Sequence, residues 1–188
     1  HRRIALKALS LVGTSPGLQI AALMGVTAFL SMWMSNTATS VMMLPIGLSI
    51  IAMANASTQD QFGKAVLLGI AYSASIGGIA TLIGTPPNAL LAAYMSKSYG
   101  IQISFADWMI LGVPLALTML IVCWLWLTKI HFRMPKSDAD QNDIATQLKA
   151  LGLMSRSQKL VLMVFALAAL SWISQQWLMK WTGLPISD

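Results

Sequence analysis

Hydrophobic residues along this chain run in long blocks instead of alternating with polar ones. Ala8 to Gln59, Ala65 to Ser96, Trp108 to Thr128 and Leu160 to Met179 contain no Asp, Glu, Lys, Arg or His. A bilayer-spanning helix needs about 20 apolar residues, whereas a soluble helix keeps a polar face. The pattern predicts an all-α integral membrane protein. Its first block is interrupted at Ser35-Asn36-Thr37-Ala38-Thr39-Ser40, between an apolar run from Pro16 to Met34 and a shorter one from Val41 to Ala54. At helical rise the shorter run reaches about 21 Å, less than the roughly 30 Å hydrocarbon core. Residues 16–55 are therefore expected to form a re-entrant helical hairpin. Two full spans, which would return to the same side, are the alternative.

The second block is too long for one straight helix and contains Gly77-Gly78 and then Gly84-Thr85-Pro86-Pro87-Asn88. Proline removes a backbone donor and clashes with the preceding turn, but it suits the first turn of a new helix. A broken transmembrane helix is expected over 64–97. Its first half runs from about Ala65 to Ala80, and its second starts at Pro86. Residues 105–130 and 159–180 read as two further transmembrane helices, the last anchored by Trp177, Lys180 and Trp181. Residues 131–158 read as a cytoplasmic loop with a short surface helix near Ile144 to Leu151. Residues 1–15, with Arg2, Arg3 and Lys7, suit a surface helix. With the N-terminal stretch cytoplasmic, ten Lys and Arg residues fall inside and only Lys97 and Lys180 fall outside. That bias fits the positive-inside rule.

Composition narrows the chemistry. The chain is 56% hydrophobic and 10% charged, against about 25% charged in soluble domains. The net charge of +6 reflects loop residues and not a basic stripe with aromatics, so no nucleic-acid partner is expected. Cys123 is the single cysteine, so no internal disulfide forms. There is no Glu, and the two His are far apart, which disfavours a carboxylate-bridged or His-rich metal centre. No acid or base lies inside a membrane segment to activate a nucleophile, so an enzyme is not expected. The chain begins at His1 without a cleavage-type signal and reads as an internal piece of something longer.

Irregular backbone at membrane depth is tolerated where it is buried in protein or lines a cavity, and broken helices mark carrier binding sites. The two breaks here are Ser35-Asn36-Thr37 and Gly84-Thr85-Pro86-Pro87-Asn88. Half-helix N-termini suit an anion, and unwound carbonyls suit a hard cation such as Na⁺. Ser35, Thr37 and Thr85 add hydroxyls, while Asn36 and Asn88 add amides. Any cation would be held by neutral oxygens, and a bound anion would balance its charge. The competing reading is that these small polar residues only pack helices together, as in a structural membrane subunit.

Two long motifs carry a resemblance. Ser31 to Pro45 (Ser-Met-Trp-Met-Ser-Asn-Thr-Ala-Thr-Ser-Val-Met-Met-Leu-Pro) resembles the first hairpin of the divalent anion/sodium symporter family. Ser73 to Ala89 (Ser-Ala-Ser-Ile-Gly-Gly-Ile-Ala-Thr-Leu-Ile-Gly-Thr-Pro-Pro-Asn-Ala) resembles its fifth, broken helix. The resemblance covers nearly the whole chain. It implies sodium-coupled transport of a small divalent anion across the cell (inner) membrane, with a C4-dicarboxylate such as succinate or malate as the leading substrate. Sulfate, citrate and sodium-independent exchange are the alternatives within the family. It further implies substrate contacts from Ser35, Asn36, Thr37, Thr85 and Pro86. The implied Na⁺ site comprises Ser31, Ser35, Asn36, Gly84 and Asn88. Relatives are homodimers that move a transport domain by an elevator motion within the lipid bilayer. They have two inverted halves, so this chain corresponds to one half of an inverted-repeat transporter and lacks the C-terminal half.

Overall fold

A computed structural model describes residues 7, 10, 15–52, 59–132 and 156–182, with side chains as far as residue 174. The expected N-terminal surface helix, apart from residues 7, 10 and 15, and the expected surface helix of the 131–158 loop lie outside the described residues. Among the described residues, every regular element is a helix.

The first helix, α1 (Pro16–Ser31), starts where the sequence places a proline at its first position, after an extended Ser15. Proline is tolerated there because that N–H has no partner inside the helix. A tight turn over Met32 to Ser35 follows, with Met32 N donating to Ala28 O at 3.0 Å and Trp33 N to Leu30 O at 3.1 Å. The second helix, α2, spans Asn36–Ala52. It therefore begins five residues before the apolar run at Val41. Ser35 Oγ accepts from Ala38 N at 3.3 Å, which caps the helix, and Thr39 N reaches Ser35 O at 3.0 Å. The polar stretch is thus mostly the first turn of a helix. Seventeen residues still amount to only about 26 Å, less than the bilayer core.

The third helix, α3 (Gln59–Ile79), starts earlier than the apolar block suggests. Its first turns are polar and carry an exposed Asp60–Lys64 pair at 2.8 Å, an i,i+4 spacing that suits a helix surface. Both hairpin arms pack more extensively on α3 than on each other. The core so formed holds Ile20, Leu23 and Met24 from α1, Met43 and Ile50 from α2, and Val66 and Ile70 from α3. At Gly77 the approach is closest: a Cβ there would run into the Ala28 backbone of α1.

After six non-helical residues, α4 (Pro86–Tyr99) resumes and ends at Gly100, whose φ of 68° is the left-handed cap that glycine adopts without strain. Most of α4 stands clear of the bundle, with Leu90 and Tyr94 exposed. Next, α5 (Phe105–Leu125) opens with a capping box, in which Asp107 N donates to Ser104 Oγ at 3.1 Å and Ser104 N to Asp107 Oδ2 at 3.2 Å. It continues as a wider π-helical stretch, Trp126–His131. Trp108 Nε1 donates to Ile79 O at 2.9 Å, and Trp124 Nε1 to Gly17 O at 2.8 Å, so both ends of α5 are fastened to the hairpin–α3 unit.

The last helix, α6 (Arg156–Thr182), packs on α5 and meets the hairpin turn through aromatic rings. Trp33 lies 5.4 Å from Phe165 and 6.4 Å from Trp172, while Phe105 lies 5.9 Å from Trp172. Three helical stretches, Asp60–Ile79, Phe105–His131 and Arg156–Ser174, are long and apolar enough to cross a membrane. The outward faces of α5 and α6 are apolar, as at Leu111, Leu115, Val161 and Leu167. Such surface suits hydrocarbon contact, since no backbone polar group of a helix is left for lipid to satisfy.

Candidate functional site

The two breaks meet. Ser31, the last residue of α1, is fully buried. Its Oγ lies 2.6 Å from Ala74 O on α3 and 2.8 Å from Asn36 Oδ1 on α2. A hydroxyl carries one proton and two lone pairs, so one proton serves both oxygens. The Ser31 lone pairs and the second lone pair of Asn36 Oδ1 remain as neutral, hard donors.

Asn36 lies against Gly78. A Cβ at Gly78 would stand 2.5 Å from Asn36 Oδ1, and one at Gly84 would stand 2.5 Å from Gly78 O. At Gly84 a Cβ would meet backbone, and at Gly78 it would displace the Asn36 side chain from this space. Thr81, fully buried between them, donates to Met32 O in the hairpin turn and accepts from Gly84 N at 3.1 Å. It therefore ties one break to the other. Asn88 holds the unwound stretch from the α4 side, with Nδ2 donating to Gly78 O at 2.9 Å and to Thr81 O at 2.7 Å. The bond from Asn88 to Gly78 O satisfies a carbonyl in the last turn of α3, which has no partner within the helix.

The residues expected to form the site fall into two layers. Ser31 and Asn88 are buried, as is Gly84, and Asn36 is half-buried. Ser35, Thr37 and Pro86 are exposed, and Thr85 is half-buried in an extended conformation immediately before α4. Ser35 caps α2, and Asn88 directs its amide nitrogen at backbone carbonyls, so Oδ1 is its atom left for ligation. Sequence reasoning passed over Thr81, Gly78 and the Ala74 carbonyl. Thr81 had a weak signal as the hydroxyl between Gly77-Gly78 and Gly84. Among the described residues no three His, Cys, Asp or Glu side chains come together. Oxygen-only, uncharged donors suit a hard cation and not a metal that seeks thiolate or imidazole.

Interrupted helices joined by a neutral polar cluster, within a bundle whose outer helices suit lipid, are the arrangement found at the binding sites of membrane carriers. The chain matches the citrate transporter family over residues 1–186 and belongs to that family. It is 40% identical over 193 residues to the sodium-dependent dicarboxylate transporter SdcS of Staphylococcus saprophyticus, covering 97% of this chain and 37% of that one. It is 39% identical over 190 residues to the SdcS of Staphylococcus aureus strain USA300, covering 96% and 36%. The chain thus spans little more than a third of the length of these relatives. The family and both relatives are transporters, not enzymes.

Proposed function

We propose that the full-length protein is a sodium-coupled secondary carrier for a small dicarboxylate such as succinate or malate. The observation that carries this reading is the junction of the two breaks at Ser31, Asn36, Gly78 and Gly84, built from neutral oxygens. Na⁺ takes lone pairs from Ser31 and Asn36 and from carbonyl oxygen at Gly84, with Asn88 fixing the unwound backbone around it. The substrate carboxylate meets the exposed layer: Ser35, Asn36, Thr37, Thr85 and the N-terminus of α4 at Pro86. A helix N-terminus favours an anion through its oriented N–H groups. Among the described residues no acidic side chain stands at this junction to neutralise the cation, so the substrate supplies the balancing charge and each ligand raises the affinity of the other. A second half of the full-length protein completes the site, and the carrier works as a homodimer with an elevator motion. The names of the curated relatives favour this substrate class.

Citrate is the second reading, favoured by the description of the matching family. Both readings are tested by uptake of labelled succinate and labelled citrate into proteoliposomes of the full-length protein, with inward Na⁺ or with K⁺ in its place. Sodium-dependent succinate uptake that is lost in Asn36→Ala, with the protein still folded, supports the first. Sodium-dependent citrate uptake without succinate uptake transfers the assignment to citrate. Equal uptake in Na⁺ and K⁺ removes sodium coupling.

A further inference from the structure

Buried hydroxyls in these helices mostly bond back to the preceding turn. Thr27 Oγ1 donates to Leu23 O at 2.7 Å, Ser73 Oγ to Gly69 O at 2.5 Å and Thr128 Oγ1 to Trp124 O at 2.7 Å. Thr39 departs from that pattern. It is fully buried, yet its Oγ1 has no hydrogen-bond partner among the described residues. Its corresponding carbonyl, Ser35 O, is engaged by Thr39 N at 3.0 Å and not by the hydroxyl. An unsatisfied hydroxyl in a low-dielectric interior is costly, and a valine of the same shape would avoid that cost.

Position indicates what the hydroxyl serves. Thr39 follows Asn36 by three residues, so the two share a face of α2. Helical side chains lean toward the helix N-terminus. The Thr39 side chain therefore leaves the helix in the direction of the tip, where Ser31 Oγ and Asn36 Oδ1 meet at 2.8 Å. We infer that Thr39 Oγ1 is a further oxygen ligand of the cation bound at this tip, directly or through one water, and closes the site from the core side. This rests on the sodium-coupled reading above.

The test uses the full-length protein carrying Thr39→Val, Thr39→Ala or Thr39→Ser. Two quantities are read: the Na⁺ concentration giving half-maximal succinate uptake, and the thermal stabilisation by Na⁺ without substrate. Loss of the hydroxyl in Thr39→Val is expected to raise half-saturating Na⁺ by roughly fivefold, the size of one ordinary hydrogen-bond interaction. Uptake should recover at high Na⁺, the Na⁺-induced thermal shift should shrink, and Thr39→Ser should restore both. Thr39→Ala gives the same readout if the valine variant folds poorly. Unchanged Na⁺ dependence in Thr39→Val or Thr39→Ala, with equal or higher thermal stability, would show that the hydroxyl only packs and would overturn the inference. Wild-type uptake that ignores Na⁺ would instead overturn the coupling reading, and this inference with it.

Discussion

The side-chain amide of Asn36 rests against the backbone of Gly78, so closely that a Cβ on residue 78 would lie 2.5 Å from Asn36 Oδ1. One methyl group is therefore enough to displace the Asn36 amide from its place against the second break. Gly78→Ala is expected to leave a folded, membrane-inserted protein whose sodium-dependent uptake falls by at least about tenfold, since misplacing a ligand by about 1 Å costs that much or more. Proteoliposome uptake set against chromatographic homogeneity checks this. Full activity in the alanine variant would mean that Asn36 need not sit where the structure places it.

Ser31 offers a way to separate ligation from packing. Ser31→Ala removes the bond to Ala74 O, which costs stability only about 1 kcal/mol. If Ser31 also supplies lone pairs to a cation, the half-saturating Na⁺ concentration rises by an order of magnitude, roughly the effect of 1.4 kcal/mol. A melting curve and a Na⁺ titration on the same preparation compare the two. A loss of stability with unchanged Na⁺ dependence would confine Ser31 to structure.

Thr81 bridges the hairpin turn and the unwound stretch with one hydroxyl, accepting from Gly84 N and donating to Met32 O. Thr81→Val keeps the shape and leaves both backbone groups without this partner inside the protein. A destabilisation of about 1–3 kcal/mol is expected, seen as a lower melting temperature, with Thr81→Ser close to wild type. Equal melting of the valine and serine variants would remove the bridge from the account.

Trp33 carries a buried indole N–H without a partner among the described residues, while its ring faces Phe105, Phe165 and Trp172. The ring should matter and the nitrogen should not. Trp33→Phe is expected to melt within about 1 kcal/mol of wild type, whereas Trp33→Ala should lose at least about 2 kcal/mol. A phenylalanine variant as unstable as the alanine one would show that the N–H does have an essential partner.

Backbone chemistry made much of this legible from sequence. Glycine at 84 followed by Pro86-Pro87 strongly disfavours an unbroken helix, so the discontinuity between Ile79 and Pro86 could be read locally, whereas the single prolines at 45 and 114 sit inside α2 and α5. The tip was read too broadly. Apart from Ala38, Ser35 to Ser40 are poor residues for a helix interior, yet α2 starts at Asn36 because Ser35 serves as its cap and the hydroxyls beyond it do not stop a helix. Thr81 was not legible, since its importance comes from Met32 O, 49 residues away in sequence. The closeness of Gly78 to Asn36 was likewise invisible, because it follows from how α1 and α3 approach one another at Gly77. The pairing of Ser31 with Asn36 within one motif came from family resemblance, and physics alone left helix packing as a competing role for those residues.

The two indole bonds of α5 differ in kind from the ring contacts of α6. Trp108 to Ile79 O and Trp124 to Gly17 O are directional and fixed in length. With one at each end, α5 behaves as a strut that keeps the foot of the hairpin and the end of α3 at constant separation. Contacts between Trp33, Phe165 and Trp172 are dispersive and tolerate offset, so they can shear without any single bond being broken. A displacement of α6 along the seam these rings form would leave both indole hydrogen bonds of α5 intact.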